Sequence, residues 1–193
     1  LLGDEAVAQG ALDAGTSGFY AYPGTPSTEI MEYVQHSSQA AEKNIHRMWS
    51  ANEKTAVETA IGMSYAGKRT MAMMKHVGLN VAADPFINSG ITGANGGIIV
   101  TVADDPSMHS SQNEQDSRVL ANFAMVPILE PSNQQEAYQM CFTGFELSEK
   151  YQTPVVLRLT TRIAHSRSGV KRGAPLKENE LTIEFVFLLP YNL

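Results

Sequence analysis

The sequence predicts an α/β domain built on a parallel sheet, on three observations. Short apolar runs of strand length recur along the chain, and longer segments of helical period separate them. The third is size: 193 residues, 43% hydrophobic and 18% charged, suffice for one good core and are too few for two large domains.

The strand-length runs fall at residues 18–22, 45–49, 69–73, 97–102, 126–129 and 155–159. After the first, Thr25 stands before Pro26, which reads as an N-cap followed by proline at the first helical position, where a missing N–H costs nothing. After the second, residues 52–67 form a helix in which Ala56, Val57, Ala60 and Ile61 share a face, and Gly62 is expected to admit another backbone closely. The third run leads through a Gly-containing turn into a helix at residues 74–85, and the fourth into a polar loop at 103–116. Ser132 with Gln135 reads as a capping box for a helix whose stripe of Ala137, Tyr138, Cys141, Phe142 and Phe145 packs on the sheet. Cys141 in that stripe reads as a small buried hydrophobe, not a reactive thiol. Past residue 159 the pattern decays, and the apolar stretch 181–193 reads as an arm docking on a neighbouring domain or subunit. The expected division is a domain at 1–166 and a linker or docking arm at 167–193.

Composition excludes several functions. A net charge of −6 with scattered Lys and Arg offers no field for nucleic acid. A single cysteine permits no internal disulfide and cannot supply the four thiolates of an iron–sulfur cluster. No apolar run approaches the roughly 20 residues of a membrane span, and the start has no signal-peptide character, so a cytoplasmic protein with no membrane partner is expected. The chain begins on Leu1 instead of methionine, which places the expected start of the gene product upstream.

Four segments carry chemistry. Tyr22-Pro23-Gly24-Thr25-Pro26-Ser27-Thr28 lies where a strand ends and a helix begins, the edge at which open α/β sheets bind ligands; the plain alternative is a well-capped turn. Glu53 stands in the first turn of its helix, where a carboxylate ordinarily compensates the dipole at the surface. His76 is open between ligand contact and a satisfied strand-end histidine. The loop from Asp104 through Asp116 holds more donors and acceptors than a turn needs. Asp104, Asp105 and His109 evoke a metal, but no second histidine has ligand spacing, so solvated loop charge is the expectation and no metal site is assigned. The glycines at 93–97 precede a strand and lack the Lys-Ser/Thr of a Walker loop, and Ser110, His76 and Asp84 lack a nucleophile elbow.

Together the four segments, YPGTPST, NEKTAVETAIGMSYAG, MKHVGLNVAADP and ADDPSMHSSQNEQDSR, resemble the N-terminal domain of the indolepyruvate ferredoxin oxidoreductase large subunit, and more loosely its pyruvate and 2-oxoglutarate counterparts. The likeness covers about residues 2–166. It implies a three-layer α/β/α domain with a mostly parallel six-stranded sheet, the pyrimidine-binding half of a thiamine diphosphate site. By this resemblance Glu53, upstream of Ala60-Ile61-Gly62, touches N1′ of the aminopyrimidine. Pro23, Thr25, His76, Val77, Gly78 and Asn80 line the cofactor, and Thr25, Asp104, His109, Ser110, Gln112 and Asn113 meet the substrate. Glu58 faces elsewhere. The implied reaction is oxidative decarboxylation of a 2-oxoacid to an acyl-coenzyme A, with electrons passing through 4Fe–4S clusters to ferredoxin.

Two departures qualify the match. An arginine that holds the substrate carboxylate in the pyruvate enzymes is replaced by Ala103-Asp104-Asp105, which favours an aryl pyruvate over pyruvate. Neither a Gly-Asp-Gly…Asn signature nor clustered cysteines occur in these residues. Diphosphate and Mg2+ are therefore expected on another domain or a second subunit, in a dimer or hetero-oligomer. The alternatives are a pyruvate- or other 2-oxoacid:ferredoxin oxidoreductase α subunit, and a non-catalytic α/β assembly module.

Overall fold

The computed structural model of the chain describes residues 1–176. In order these form α1 (Gly3–Asp13), β1 (Gly18–Ala21), α2 (Thr28–His36), α3 (Ser38–Glu42), β2 (His46–Trp49), α4 (Glu53–Tyr65), β3 (Thr70–Lys75), α5 (His76–Val81), α6 (Ala83–Thr92), β4 (Ile98–Asp104), α7 (Ser117–Phe123), β5 (Ile128–Leu129), α8 (Gln134–Tyr151), β6 (Val155–Thr160) and α9 (Thr161–His165). The strands pair in the order β2-β1-β3-β4-β6-β5, every pair parallel.

Alternation along each strand divides the core into two layers. Met71 and Met73 of β3 join α1, α2 and α8 on one face, while Ala72 and Met74 join α4, α5 and α6 on the other. Phe19, Phe86 and Phe145 are fully buried, each contributing about 1.5–3 kcal/mol. Cys141 lies in the first layer, where burial pushes its thiol well up, as befits a packing residue.

The order has one consequence for ligands. From β1 the chain passes through α2 to β2 on one side, then returns through α4 to β3 on the other. Since α2 and α4 cover opposite faces, a crevice opens at the carboxyl ends of β1 and β3, the switch point of such sheets.

Three local expectations are corrected. α2 starts at Thr28, not at Pro26, because residues 24–27 are spent on a turn: Ser27 N and Oγ donate to the Gly24 carbonyl, and Gly24 N donates to Thr28 Oγ1. The N-cap of α8 is Asn133, whose Oδ1 accepts from Glu136 N, while the Glu136 carboxylate holds Ser132; Gln135 pairs instead with the Lys171 backbone. Gly62 admits no neighbour, since a Cβ there would meet nothing within 4 Å.

Residues 167–176, read above as the beginning of an arm, run back along α1 and α8. Arg167 bridges to Leu2, Arg172 pairs with the buried Asp13 at 2.8 Å, Gly173 N donates to the Tyr138 hydroxyl, and Leu176 N donates to the Asp13 carbonyl. The stretch 181–193 lies outside the described residues. Among the described residues no helix is long and apolar enough to cross a membrane.

Candidate functional site

α4 begins at the end of β2 and is fixed by Asn52, whose Oδ1 accepts from Thr55 N at 2.9 Å. That start puts Glu53 on the same face as Ala56, Val57 and Ala60, so the helix period carries it inward. Glu53 is 8% exposed, against the ordinary expectation for a first-turn glutamate. Its carboxyl lies over Gly78: a Cβ on that glycine would stand 2.5 Å from Oε1. Among the described residues nothing hydrogen-bonds the carboxyl. Glu58 points outward and faces Lys54 at 3.8 Å.

β3 runs directly into α5, which brings His76 and Gly78 to the crevice. His76 is 1% exposed, and its Nε2 lies 3.0 Å from the Asn113 carbonyl. A carbonyl only accepts, so Nε2 carries a proton. His76 Nδ1 is buried and has no partner. Asn80 donates to Gln115 Oε1 at 2.8 Å, and Gln115 donates to Asn113 Oδ1 at 3.1 Å, so the loop after β4 is tied to α5. Ser110 Oγ reaches the Thr25 carbonyl at 3.4 Å and ties the same loop to the turn after β1. Pro23 and Thr25 are exposed in that turn, whose Thr25–Pro26 peptide is cis, and Val77 is half-buried at the rim.

Sequence reasoning missed two groups. Lys75 ends β3 with its stem across Gly24, where a Cβ would lie 3.1 Å from Cγ, and no carboxylate among the described residues pairs with it. A lone lysine closing the apolar run Thr70–Met74 was the available signal. Ser50, at the end of β2, is buried with its Oγ unpartnered; nothing in its neighbours marks it.

The other strand ends are different. Asp104 was expected at the substrate, and Asp104 and Asp105 as solvated charges; both are 0% exposed. Asp104 accepts from Ser117 N at 3.1 Å, from the Ser117 hydroxyl and from Arg158 Nε at 2.7 Å, which leaves it nothing to offer a ligand. Burial raises Asp105, but hydrogen bonds from the Thr161 hydroxyl and the Ser110 backbone outweigh it and hold the carboxyl well below the usual range. His109 is exposed in a depression with Thr160, Thr161 and Arg162 at the β4–β6 end, not in the crevice, and Gln112 is exposed on the loop.

The carboxyl ends of β1 and β3 thus bring together a carboxyl and a lysine that have no partner among the described residues, a buried unpartnered imidazole nitrogen, and a glycine against which that carboxyl packs. Such a set grips the polar edge of a flat heterocycle and an anion beside it.

Over residues 9–183 the chain matches the family described as pyruvate flavodoxin/ferredoxin oxidoreductase, thiamine diphosphate-binding. It is 51% identical over 173 residues to the indolepyruvate oxidoreductase subunit IorA of Pyrococcus abyssi, covering 90% of this chain and 26% of that protein. The IorA subunit of Archaeoglobus fulgidus is 49% identical over 184 residues, 94% of this chain and 29% of that one. The chain spans little more than a quarter of the length of these relatives. A solved 2-oxoglutarate:ferredoxin oxidoreductase from Magnetococcus marinus, with 2-oxoglutarate, coenzyme A and succinyl-CoA bound, shares the fold: TM-score 0.75 at 24% identity, over 86% of this chain and 30% of that one. The match across most of the chain leaves one conclusion: this protein belongs to the thiamine diphosphate-binding family of pyruvate flavodoxin/ferredoxin oxidoreductases.

Proposed function

We propose that the chain is the pyrimidine-binding domain of an indolepyruvate-type 2-oxoacid:ferredoxin oxidoreductase. The whole enzyme converts an aryl pyruvate, coenzyme A and oxidised ferredoxin to an acyl-coenzyme A, carbon dioxide and reduced ferredoxin. The observation that carries this reading is Glu53: a buried carboxyl at a helix start, without a partner among the described residues, beside the switch point.

The residues fit an aminopyrimidine. Gly78, lacking a Cβ, lets the Glu53 carboxyl pack directly against its backbone, and the buried Nδ1 of His76 lacks a partner. Glu53 would hold the proton shared with the ring nitrogen N1′, with Pro23, Thr25, Val77 and Asn80 at the rim. Bound thiamine diphosphate supplies the electron sink needed to break the bond between a carboxylate and a ketone carbon. Lys75 would face the carboxylate of the 2-oxoacid, in place of the absent arginine. Ser110, Gln112 and Asn113, on the loop tied over Thr25 and His76, would enclose the substrate, with His109 further out; Asp104 is withdrawn from that role.

On this reading the diphosphate, its Mg2+ and the 4Fe–4S clusters belong to a second domain or subunit, in a cytoplasmic dimer or hetero-oligomer. Resemblance to IorA at about half identity favours the indolepyruvate branch. The test is Glu53→Gln in the assembled enzyme, assayed by ferredoxin reduction with indolepyruvate, phenylpyruvate, pyruvate and 2-oxoglutarate. The wild type should prefer the aryl substrates, and the variant should lose turnover with all of them. Unchanged turnover would leave a non-catalytic assembly module.

A further inference from the structure

We propose that Asp4, Glu29 and His165 form a binding site for one divalent cation of the zinc type, built from residues that take no part in the Glu53 crevice. The three come from three elements: Asp4 from the first turn of α1, Glu29 from the first turn of α2, and His165 from the end of α9. One donor atom of each lies within 4.8 Å of the others.

Asp4 is the decisive group. It is 0% exposed, and neither of its oxygens has a hydrogen-bond partner; Glu29 Oε2 has none either. A buried carboxylate in that setting is tolerable only with a proton or a cation. A proton shared between Asp4 and Glu29 would serve those two groups, with His165 beside Glu29 at 3.5 Å as an ion pair; one ion would hold all three. A divalent ion balances two carboxylates and takes the imidazole as a third ligand. His165 Nε2 lies 3.5 Å from Glu29 Oε1, close to the edge of about 3.4 Å between ligands held roughly 2.0–2.2 Å from a tetrahedral zinc. The starts of α1 and α2 favour the ionised carboxylates. The side chains of Glu29 and His165 are 34% and 37% exposed, so an ion can enter and water can complete the shell. The imidazole ligand favours zinc-like ions over Mg2+.

The test is calorimetric titration of zinc chloride into the chelator-treated chain, with magnesium chloride in parallel and circular dichroism to verify folding. One zinc per chain should bind, and magnesium should not compete. Asp4→Asn and His165→Ala should each weaken binding by at least the roughly 10–100-fold that loss of even an outer-shell partner costs. His46→Ala, an exposed histidine elsewhere, should leave it unchanged. Should the wild type bind zinc no more tightly than Asp4→Asn or His165→Ala, the site is no metal site, and Asp4 and Glu29 simply share a proton. His165→Ala alone decides the matter if Asp4→Asn does not fold.

Discussion

The carboxyl ends of β3 and β4 lie side by side in the sheet, both end on charged residues, and they use their polar groups in opposite ways. At β4, Asp104 and Asp105 are buried and fully engaged by Ser117, Arg158, Thr161 and Ser110. Around β3, His76 Nδ1 is buried without a partner, and the Glu53 carboxyl and Lys75 have no partner among the described residues. A polar group left unsatisfied in a native fold costs free energy, so a cluster of them implies an external partner. Polarity at a strand end is thus a weak sign of function; unspent polarity is a stronger one.

Substitutions on the two sides should separate these uses. Glu53→Gln is expected to lower kcat by about 10²–10⁴ while leaving the urea midpoint nearly unchanged. Asp104→Asn should do the reverse, costing roughly 1–3 kcal/mol in urea unfolding because Arg158 Nε and Ser117 lose their charged acceptor, although Arg158 keeps Glu130. A large kinetic effect without loss of stability at Asp104 would erase the contrast. Lys75→Met should raise KM for the 2-oxoacid by about 10–100-fold, the value of a hydrogen bond to a charged group, with kcat far less affected. Gly78→Ala, which sets a methyl against the Glu53 carboxyl, should lower kcat by about tenfold.

The smallest effect concerns acid. Asp105 has a folded pKa below its unfolded value of about 3.9, so its stabilisation is complete above that value and is lost as pH falls through the folded one. Asp105→Asn should therefore flatten the acid side of the stability profile, measured by thermal melting from about pH 5 downward. An unchanged acid limb would mean that Asp105 is not held as described.

Most strands were legible as apolar runs bounded by polar residues, although β2 carries His46 and Arg47; Glu53 was singled out by the family resemblance, since its place in a first helical turn alone reads as surface charge. α1 was not singled out: nearly every residue from Gly3 to Asp13 is buried, so it has no polar face to produce a period. The caps of α2 and α8 were misplaced because neighbouring Ser, Thr and Asn side chains compete for the same amides. Asp104 and Asp105 were misread because their partners Arg158 and Thr161 are more than fifty residues away. The same distance hides Asp4, Glu29 and His165, which only the packing of α1, α2 and α9 brings together.

Asp13, at the end of α1, is fully buried, and its only cation among the described residues is Arg172, which donates to both of its oxygens. A polypeptide trimmed to residue 166 would keep every helix and strand described and still lose that counterion. It would have to protonate Asp13 or let water in beneath α1, where Gln9, Gln39 and Tyr138 converge on the same carboxylate. Among the described residues, charge neutrality carries this folding unit at least to Arg172, past the end of α9.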